Sequence, residues 1–267
     1  MPQVYVHGYD PREALRLQDQ ASTLVELLHH DTVYPDDCSV LEAGCGVGAQ
    51  TVTLARQSPK ARFTSLDISE DSLAQARATV ETAGYTNVTF RREDIFHLPF
   101  ADASFDHVFL CFVLEHLPNP MDALHALKRV LKPGGSITAI EGDHGSTFFH
   151  PQSEYAHKAI RALVELQARA GGNANIGREL FPLLTRAGFR DCSVSPRMVY
   201  VDSSRPRFVE GFTKNTFTAM IEGVREPVLQ GGILDAATFD EGVRALYRTA
   251  EDDGVFCYTF FKAVAYR

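Results

Sequence analysis

The chain has 267 residues, 45% of them hydrophobic and 22% charged, with a formal net charge of −8. This is ordinary globular composition, enough for one α/β domain with elaborations or one domain plus a lid. The acidic balance and the absence of a dense Lys/Arg run argue against nucleic acid as a partner, because a footprint for a phosphate backbone is missing.

No apolar stretch reaches 18 residues, so no membrane span is expected. The start, Met1-Pro2-Gln3-Val4-Tyr5-Val6-His7-Gly8, has neither a basic opening nor an apolar run, which argues against a signal peptide. Five cysteines, Cys38, Cys45, Cys111, Cys192 and Cys257, are widely spaced, odd in number and lack a C-x-x-C pair. That pattern argues against a disulfide framework or a zinc site and for reduced thiols in a cytoplasmic protein.

Residues 1–34 read as an N-terminal arm and helix. The arm, 1–9, carries Tyr5, His7 and Tyr9. Asp10, Pro11 and Glu13 then form an N-cap, N1 proline and capping box. Arg12, Arg16 and Gln20, four apart, share one face of this helix. Leu24, Val25, Leu27 and Leu28 belong to its apolar side. Tyr34-Pro35-Asp36-Asp37 is a turn, and the main domain is read as 35–267.

Ser39 to Ala43 is an apolar run long enough for a buried strand. Gly44, Gly46 and Gly48 follow, and a helix opens at about 48–57. Glycines there let the chain turn sharply and let a ligand lie against the backbone. Gly44, Gly46 and Ala49 also satisfy G-x-G-x-x-G/A, so the glycines alone leave NAD and other adenosine cofactors open. Strand two, 62–67, ends in Asp67, 23 residues after Gly44, the spacing at which an acid meets ribose hydroxyls. Ser69 caps a helix that runs to about Ala83, where Gly84 stops it.

Strand three is read at about 88–93, with Asp94 at its close. Strand four spans Asp106 to Val113, and a helix follows from Asn119-Pro120 to Lys132-Pro133-Gly134-Gly135. Strand five is Ser136 to Glu141. Such alternation predicts a parallel sheet with helices on both faces. Further on come a long helix over Pro151 to Ala170, a shorter one over Arg178 to Ala187 and a strand near Asp191 to Val201. A mixed, partly helical stretch covers 203–253, and a strong strand runs over Phe256 to Tyr266.

The run Glu42-Ala43-Gly44-Cys45-Gly46-Val47-Gly48, then Leu66-Asp67-Ile68-Ser69, then Glu93-Asp94-Ile95, closely resembles the class I S-adenosylmethionine-dependent methyltransferases. Within them it looks like the branch of the ubiquinone and menaquinone biosynthesis methyltransferases. The resemblance continues through Leu114-Glu115-His116-Leu117-Pro118 and Leu131-Lys132-Pro133-Gly134-Gly135 and is strong over roughly 38–142. It implies a Rossmann-like α/β fold, a seven-stranded and mostly parallel sheet with an antiparallel terminal strand. Helical lid insertions at about 145–177 and 203–253 would lie over the carboxyl ends of the strands.

The resemblance further implies S-adenosylmethionine as cofactor and S-adenosylhomocysteine as product. Gly44, Cys45 and Gly46 would lie under the methionine part. Glu42 would order water or meet the cofactor's amino group. Asp67, with Ile68 beside it, would take the ribose. Asp94 and the N–H of Ile95 would read the adenine edge, and Cys111 would offer its backbone carbonyl. Tyr9 and Gln20 would close over the cofactor from the N-terminal segment.

Methyl transfer is an in-line displacement in which alignment supplies much of the barrier reduction, and a base is needed only when the acceptor carries a proton. His144, His116 and Glu115 are the candidates for that chemistry. His144 leads, because Glu141-Gly142-Asp143-His144-Gly145 gathers acids and a histidine at a strand's end. The acceptor is expected to be a small molecule methylated on O, N or C, with a homodimer left open as the assembly. An NAD-dependent oxidoreductase is the rival enzyme class. A cofactor-binding protein or cyclase that transfers no methyl is the other.

Overall fold

In the computed structural model, residues 23–267 are described. The arm, Tyr9, Gln20 and the first part of the leading helix lie outside them. The helical stretch 23–29 (α1) enters the described chain and leads to β1 (Ser39–Ala43) and α2 (Ala49–Gln57). β2 (Arg62–Asp67), α3 (Glu70–Thr82), β3 (Val88–Arg92), β4 (Phe105–Cys111), α4 (Pro120–Val130) and β5 (Leu131–His150) follow. The second half contains α5 (Glu154–Arg169), α6 (Leu180–Arg186), β6 (Arg190–Val201), a helical run from α7 (Pro206–Phe208) to α8 (Ala219–Gly223), α9 (Arg225–Gln230), α10 (Ala236–Arg248) and β7 (Val255–Tyr266).

The seven strands form one sheet in the order β3-β2-β1-β4-β5-β7-β6. The first five in that row are mutually parallel, and β7 runs antiparallel to both β5 and β6. This is the expected sheet. From β1 the chain moves outward to β2 and β3, then returns to place β4 on the other side of β1. The carboxyl ends of β1 and β4 therefore flank a crevice at the switch of direction, where open α/β sheets bind ligands. Successive residues point to opposite faces. Val40 and Phe109 join one buried cluster, while Leu41, Val108 and Leu110 join the other.

Two differences from the sequence reading affect the cavity. First, β5 is longer than Ser136 to Glu141. Its register breaks between Asp143 and Phe148, and Phe148, Phe149 and His150 then pair with Cys257, Phe256 and Val255. The expected insertion at 145 therefore opens with a bulge inside a strand, and strand pairing resumes before α5 begins. Second, α5 packs against α8, α9 and α10. It backs the helical cover and contributes no residue to the cavity wall.

The middle of the run between α7 and α8, Val209–Thr218, is π-helical, and the hydroxyl of Thr216 donates to the carbonyl of Gly211 at 2.6 Å. Gly211 abuts α1, because a Cβ there would collide with Thr23. The end of α1 is pinned to the sheet by Lys262 of β7. Its buried Nζ donates to Asp31 and Thr32 at 2.6 Å each and to the carbonyl of Leu28 at 3.4 Å. Among the described residues no helix is long and apolar enough to cross a membrane.

Two buried titratable groups pull on stability in opposite directions. His29 packs beside Phe109, and burial, assisted by the charge of Lys262, lowers its pKa to about 4. Burial raises the carboxyl of Glu42 to about 7, against hydrogen bonds from Ser65 and Thr51 and with the charge of Asp67 adding. The His29 contribution is fully present above its unfolded pKa and is lost as pH falls from 6.5 towards 4. The Glu42 contribution is present below its unfolded pKa and is lost as pH rises from 4.5 through 7. Each is worth roughly 3 kcal/mol, because a tenfold change in proton affinity corresponds to about 1.4 kcal/mol. Denaturant unfolding is expected to show stability falling with pH over this window in His29→Leu and rising in Glu42→Gln, with the parent protein between them. Parallel pH profiles for all three proteins would refute both assignments.

Candidate active site

A cavity of about 550 Å³ opens at the carboxyl ends of the strands. One end is built by the loops after β1, β2 and β3. Gly44, Gly46 and Gly48 all have left-handed φ, at 76°, 52° and 80°. A Cβ on Gly44 would come 2.5 Å from Cγ2 of Val113, and one on Gly48 would come 2.9 Å from Cα of Ala76. Those two glycines allow close packing. Gly46 differs, since a Cβ there meets nothing within 4 Å. Its backbone borders the cavity with open space above it, the arrangement needed where a ligand lies on the chain.

Asp67, at the end of β2, fixes that loop. One carboxylate oxygen accepts from the N–H of Gly46 and the other from the N–H of Ser69, both at 2.9 Å. Burial raises its pKa, while those backbone donors oppose the shift. Asp67, Ile68, Asp94 and Ile95 line the same end of the cavity. Asp94 accepts from the N–H of Phe96 at 2.9 Å and lies 3.1 Å from Nδ1 of His97. Cys45 and Cys111 are buried wall residues, and burial pushes both thiols up, so they stay protonated.

Glu42 is not among the described residues of the cavity wall, although the next residue, Ala43, is part of it. Its buried carboxyl accepts from the hydroxyls of Thr51 at 2.8 Å and Ser65 at 2.6 Å. It braces β1 against α2 and β2.

The other end of the cavity is built on β4, β5, β7 and the π-helical segment. After β4 the chain enters a left-handed position at Phe112, φ 59°, and a 3₁₀ turn, Leu114–His116. Glu141 holds this turn from below, one of its oxygens accepting from the N–H of Val113 at 3.1 Å and of Leu114 at 2.8 Å. Glu115 and His116 both reach the cavity, with His116 Nε2 3.5 Å from the Glu115 carboxylate. Gln167 and the N–H of Asn173 donate to the backbone carbonyl of Glu115, at 3.0 and 2.8 Å.

His144 is also brought to the wall, buried, with Nδ1 sharing a 3.0 Å hydrogen bond with the hydroxyl of Tyr258. Asp143, its neighbour, is not. Its carboxylate turns away to a two-pronged ion pair with Arg178, at 2.8 and 2.6 Å. Gly142 makes room for the pair on the cavity side, since a Cβ there would collide with the Tyr258 hydroxyl.

Sequence reasoning missed Tyr258 and Phe260, which share a face of β7, and Phe112. It also missed Phe212, Thr216, Phe217 and Met220 of the helical run. The two-residue spacing of Tyr258 and Phe260 was a usable signal. The helical set is not singled out, because the stretch 203–253 reads only as mixed and partly helical.

Residues 41–139 match the family model of a methyltransferase domain. An uncharacterized 37.1 kDa protein in transposon TN4556 of Streptomyces fradiae is 35% identical over 188 residues, covering 69% of this chain and 53% of that protein. Demethylmenaquinone methyltransferase of Listeria welshimeri is 36% identical over 104 residues, covering 39% of this chain and 44% of that enzyme. The chain thus spans about half the length of the curated relatives it matches. Phosphoethanolamine N-methyltransferase 2 of Haemonchus contortus, solved with phosphomonomethylethanolamine and S-adenosylhomocysteine, shares the fold at a TM-score of 0.58. The identity there is 19%, over 93% of this chain and 52% of that one. With its glycine loop, its acids at the end of β2 and just beyond β3, and its sheet order in place, the chain carries over residues 41–139 a segment that matches the methyltransferase-domain family and is similar there to the menaquinone-biosynthesis enzymes.

Proposed function

We propose that this chain transfers a methyl group from S-adenosylmethionine to a small-molecule acceptor. The observation that carries the reading is Gly46. It is a left-handed glycine with open space above it, its N–H held by Asp67 and its loop at the switch of strand direction. Bound S-adenosylmethionine would supply an electrophilic methyl on a positively charged sulfur.

The chain's own residues would bind and orient. Gly44, Cys45 and Gly46 present backbone to the methionine part. Asp67 has acceptor capacity left on both oxygens for the ribose hydroxyls, because each oxygen uses one lone pair on a backbone N–H. Asp94 and the N–H of Ile95 offer an acceptor and a donor side by side to a purine edge. Ile68 and Cys111 wall the pocket. His144, His116 and Glu115 stand at the far end as the groups able to take a proton from the acceptor.

Residues 203–253 act as the lid in this reading, since Phe212, Thr216, Phe217 and Met220 close the acceptor end and exclude water. The five free thiols suit a reducing compartment, and we place the protein in the cytoplasm. Thermal shift separates this reading from the dinucleotide rival, since a ligand at 100 times its dissociation constant stabilises by about 2.7 kcal/mol. Stabilisation by NAD and not by S-adenosylmethionine would overturn it. Mass spectrometry of a metabolite panel then separates methyl transfer from a cyclase that leaves the cofactor intact.

Three variants test the parts. Asp67→Ala is expected to weaken S-adenosylmethionine at least tenfold by calorimetry, because charge-assisted hydrogen bonds are worth roughly 1.5–3 kcal/mol each. Unchanged affinity in the folded variant would refute the ribose assignment. Gly46→Val is expected to abolish cofactor binding while the circular dichroism spectrum stays near native, because its branched side chain enters the cavity. Normal binding would show that this loop is not the cradle. Gly142→Ala is expected to push the Tyr258 hydroxyl off His144 and to lower turnover far more than cofactor affinity. Equal losses in both, or none, would show that the Tyr258–His144 pair has no part in transfer.

A further inference from the structure

The acceptor end of the cavity is lined by aromatic rings and the carboxyl group of Glu115. Phe112, Phe212, Phe217, Tyr258 and Phe260 make a continuous wall of tilted and edge-on rings. Ring centroids are 5.5 Å apart for Phe217 and Tyr258, 4.6 Å for Tyr258 and Phe260, and 5.4 Å for Phe260 and Phe112. Phe212 lies 5.9 Å from both Tyr258 and Phe260. Glu115 stands at this end, and Glu141 is packed beneath its turn. Among the described residues that line the cavity, the one Lys or Arg side chain is Arg92. It sits at the opposite end, as the last residue of β3, where its Nε donates to the carbonyl of Ile68 at 3.0 Å.

Tyr258, Cys111 and Glu141 are each driven well towards their neutral forms, by burial first, with the charge of Glu115 adding in every case. A phosphate, carboxylate or phenolate brought to this end meets the same penalty. A cation meets the reverse, attraction to the carboxylate and to the ring quadrupoles.

We propose, resting on the methyl-transfer reading above, that the acceptor is an amine that enters as its ammonium ion and is held between Glu115 and the aromatic wall. The ammonium gives one proton to the Glu115–His116 pair. The freed nitrogen lone pair forms the N–C bond as the C–S bond breaks, and the C–S electron pair stays on sulfur. Sulfur becomes a neutral thioether and nitrogen takes over the positive charge. The cavity thus holds a cation before and after transfer, in an environment that suits one throughout.

Inert probes test this without turnover. Calorimetry on the full chain, with and without saturating S-adenosylhomocysteine, compares benzyltrimethylammonium, its neutral carbon isostere neopentylbenzene and the anion benzylphosphonate. The ammonium is expected to bind at least tenfold more tightly than either of the others, a margin of about 1.4 kcal/mol. Glu115→Gln and Phe217→Leu, each checked for native circular dichroism, are expected to cut ammonium binding severalfold, and Glu115→Gln to leave the neutral isostere unchanged. Equal or tighter binding of the neutral isostere or the phosphonate overturns the proposal, as does no detectable heat from the ammonium. Heat from S-adenosylhomocysteine with no ammonium preference defeats this proposal alone. No heat from S-adenosylhomocysteine defeats the cofactor reading, while the probe series without it still decides the charge preference.

Discussion

The carboxyl group of Glu141 accepts hydrogen bonds from the backbone N–H groups of Val113 and Leu114 in a site with no exposure to solvent. Much of the cavity depends on that bond pair. The chain just before it passes through a left-handed position at Phe112, which costs a non-glycine residue of order 1 kcal/mol or more and persists where its surroundings fix it. The turn so held sends Phe112 into the aromatic wall and Glu115 and His116 to the acceptor end. It also lays Val113 against Gly44 of the cofactor loop. The two halves of the cavity therefore meet on one short segment, and a displacement there is felt in both. Glu141 is the group that fixes it, and its burial, with the charge of Glu115 adding, favours its neutral form.

Much of this architecture was legible because the first 140 residues obey simple periodic rules. β1 and β2 fall where the apolar runs placed them, and α3 starts after Ser69, whose side chain accepts from the N–H of Ser72. Two-residue alternation also sorts the candidate acids and histidines of β5. Gly142 and His144 border the cavity, whereas Glu141 and Asp143 face the segment after β4 and Arg178. The cluster was visible in the sequence, but its phase was not, because a strand's pattern gives the period and not which face will meet a ligand. The hydrogen bonds of Glu42 were not legible for a related reason. Its partners, Thr51 and Ser65, are set by how α2 and β2 pack, which no local pattern encodes.

The rest was hidden for a different reason. Phe212, Thr216 and Phe217 reach the cavity from a π-helical segment that leans on α1 through Gly211, and Met220 reaches it from α8. The bulge of β5 between Asp143 and Phe148 was hidden too, since it is imposed by pairing with β7 over a hundred residues away. The cofactor end was legible because it is made of strand ends and the turns that follow them. The acceptor end was not, since it is assembled from distant elements.

The position of β7 bears on how the protein is made. It is later in sequence than every other strand, yet it sits between β5 and β6 and pairs with both along most of its length. As the chain emerges during synthesis, β5 presents an open edge and β6 has no partner in the sheet. That persists until residues beyond 255 are available. Open strand edges are templates for pairing with other chains. The nascent domain is thus exposed to aggregation until β7 has been made. Truncation before β7 would remove the strand that joins the two sides of the sheet, along with Tyr258 and Phe260 from the cavity wall and the Lys262 pin on α1.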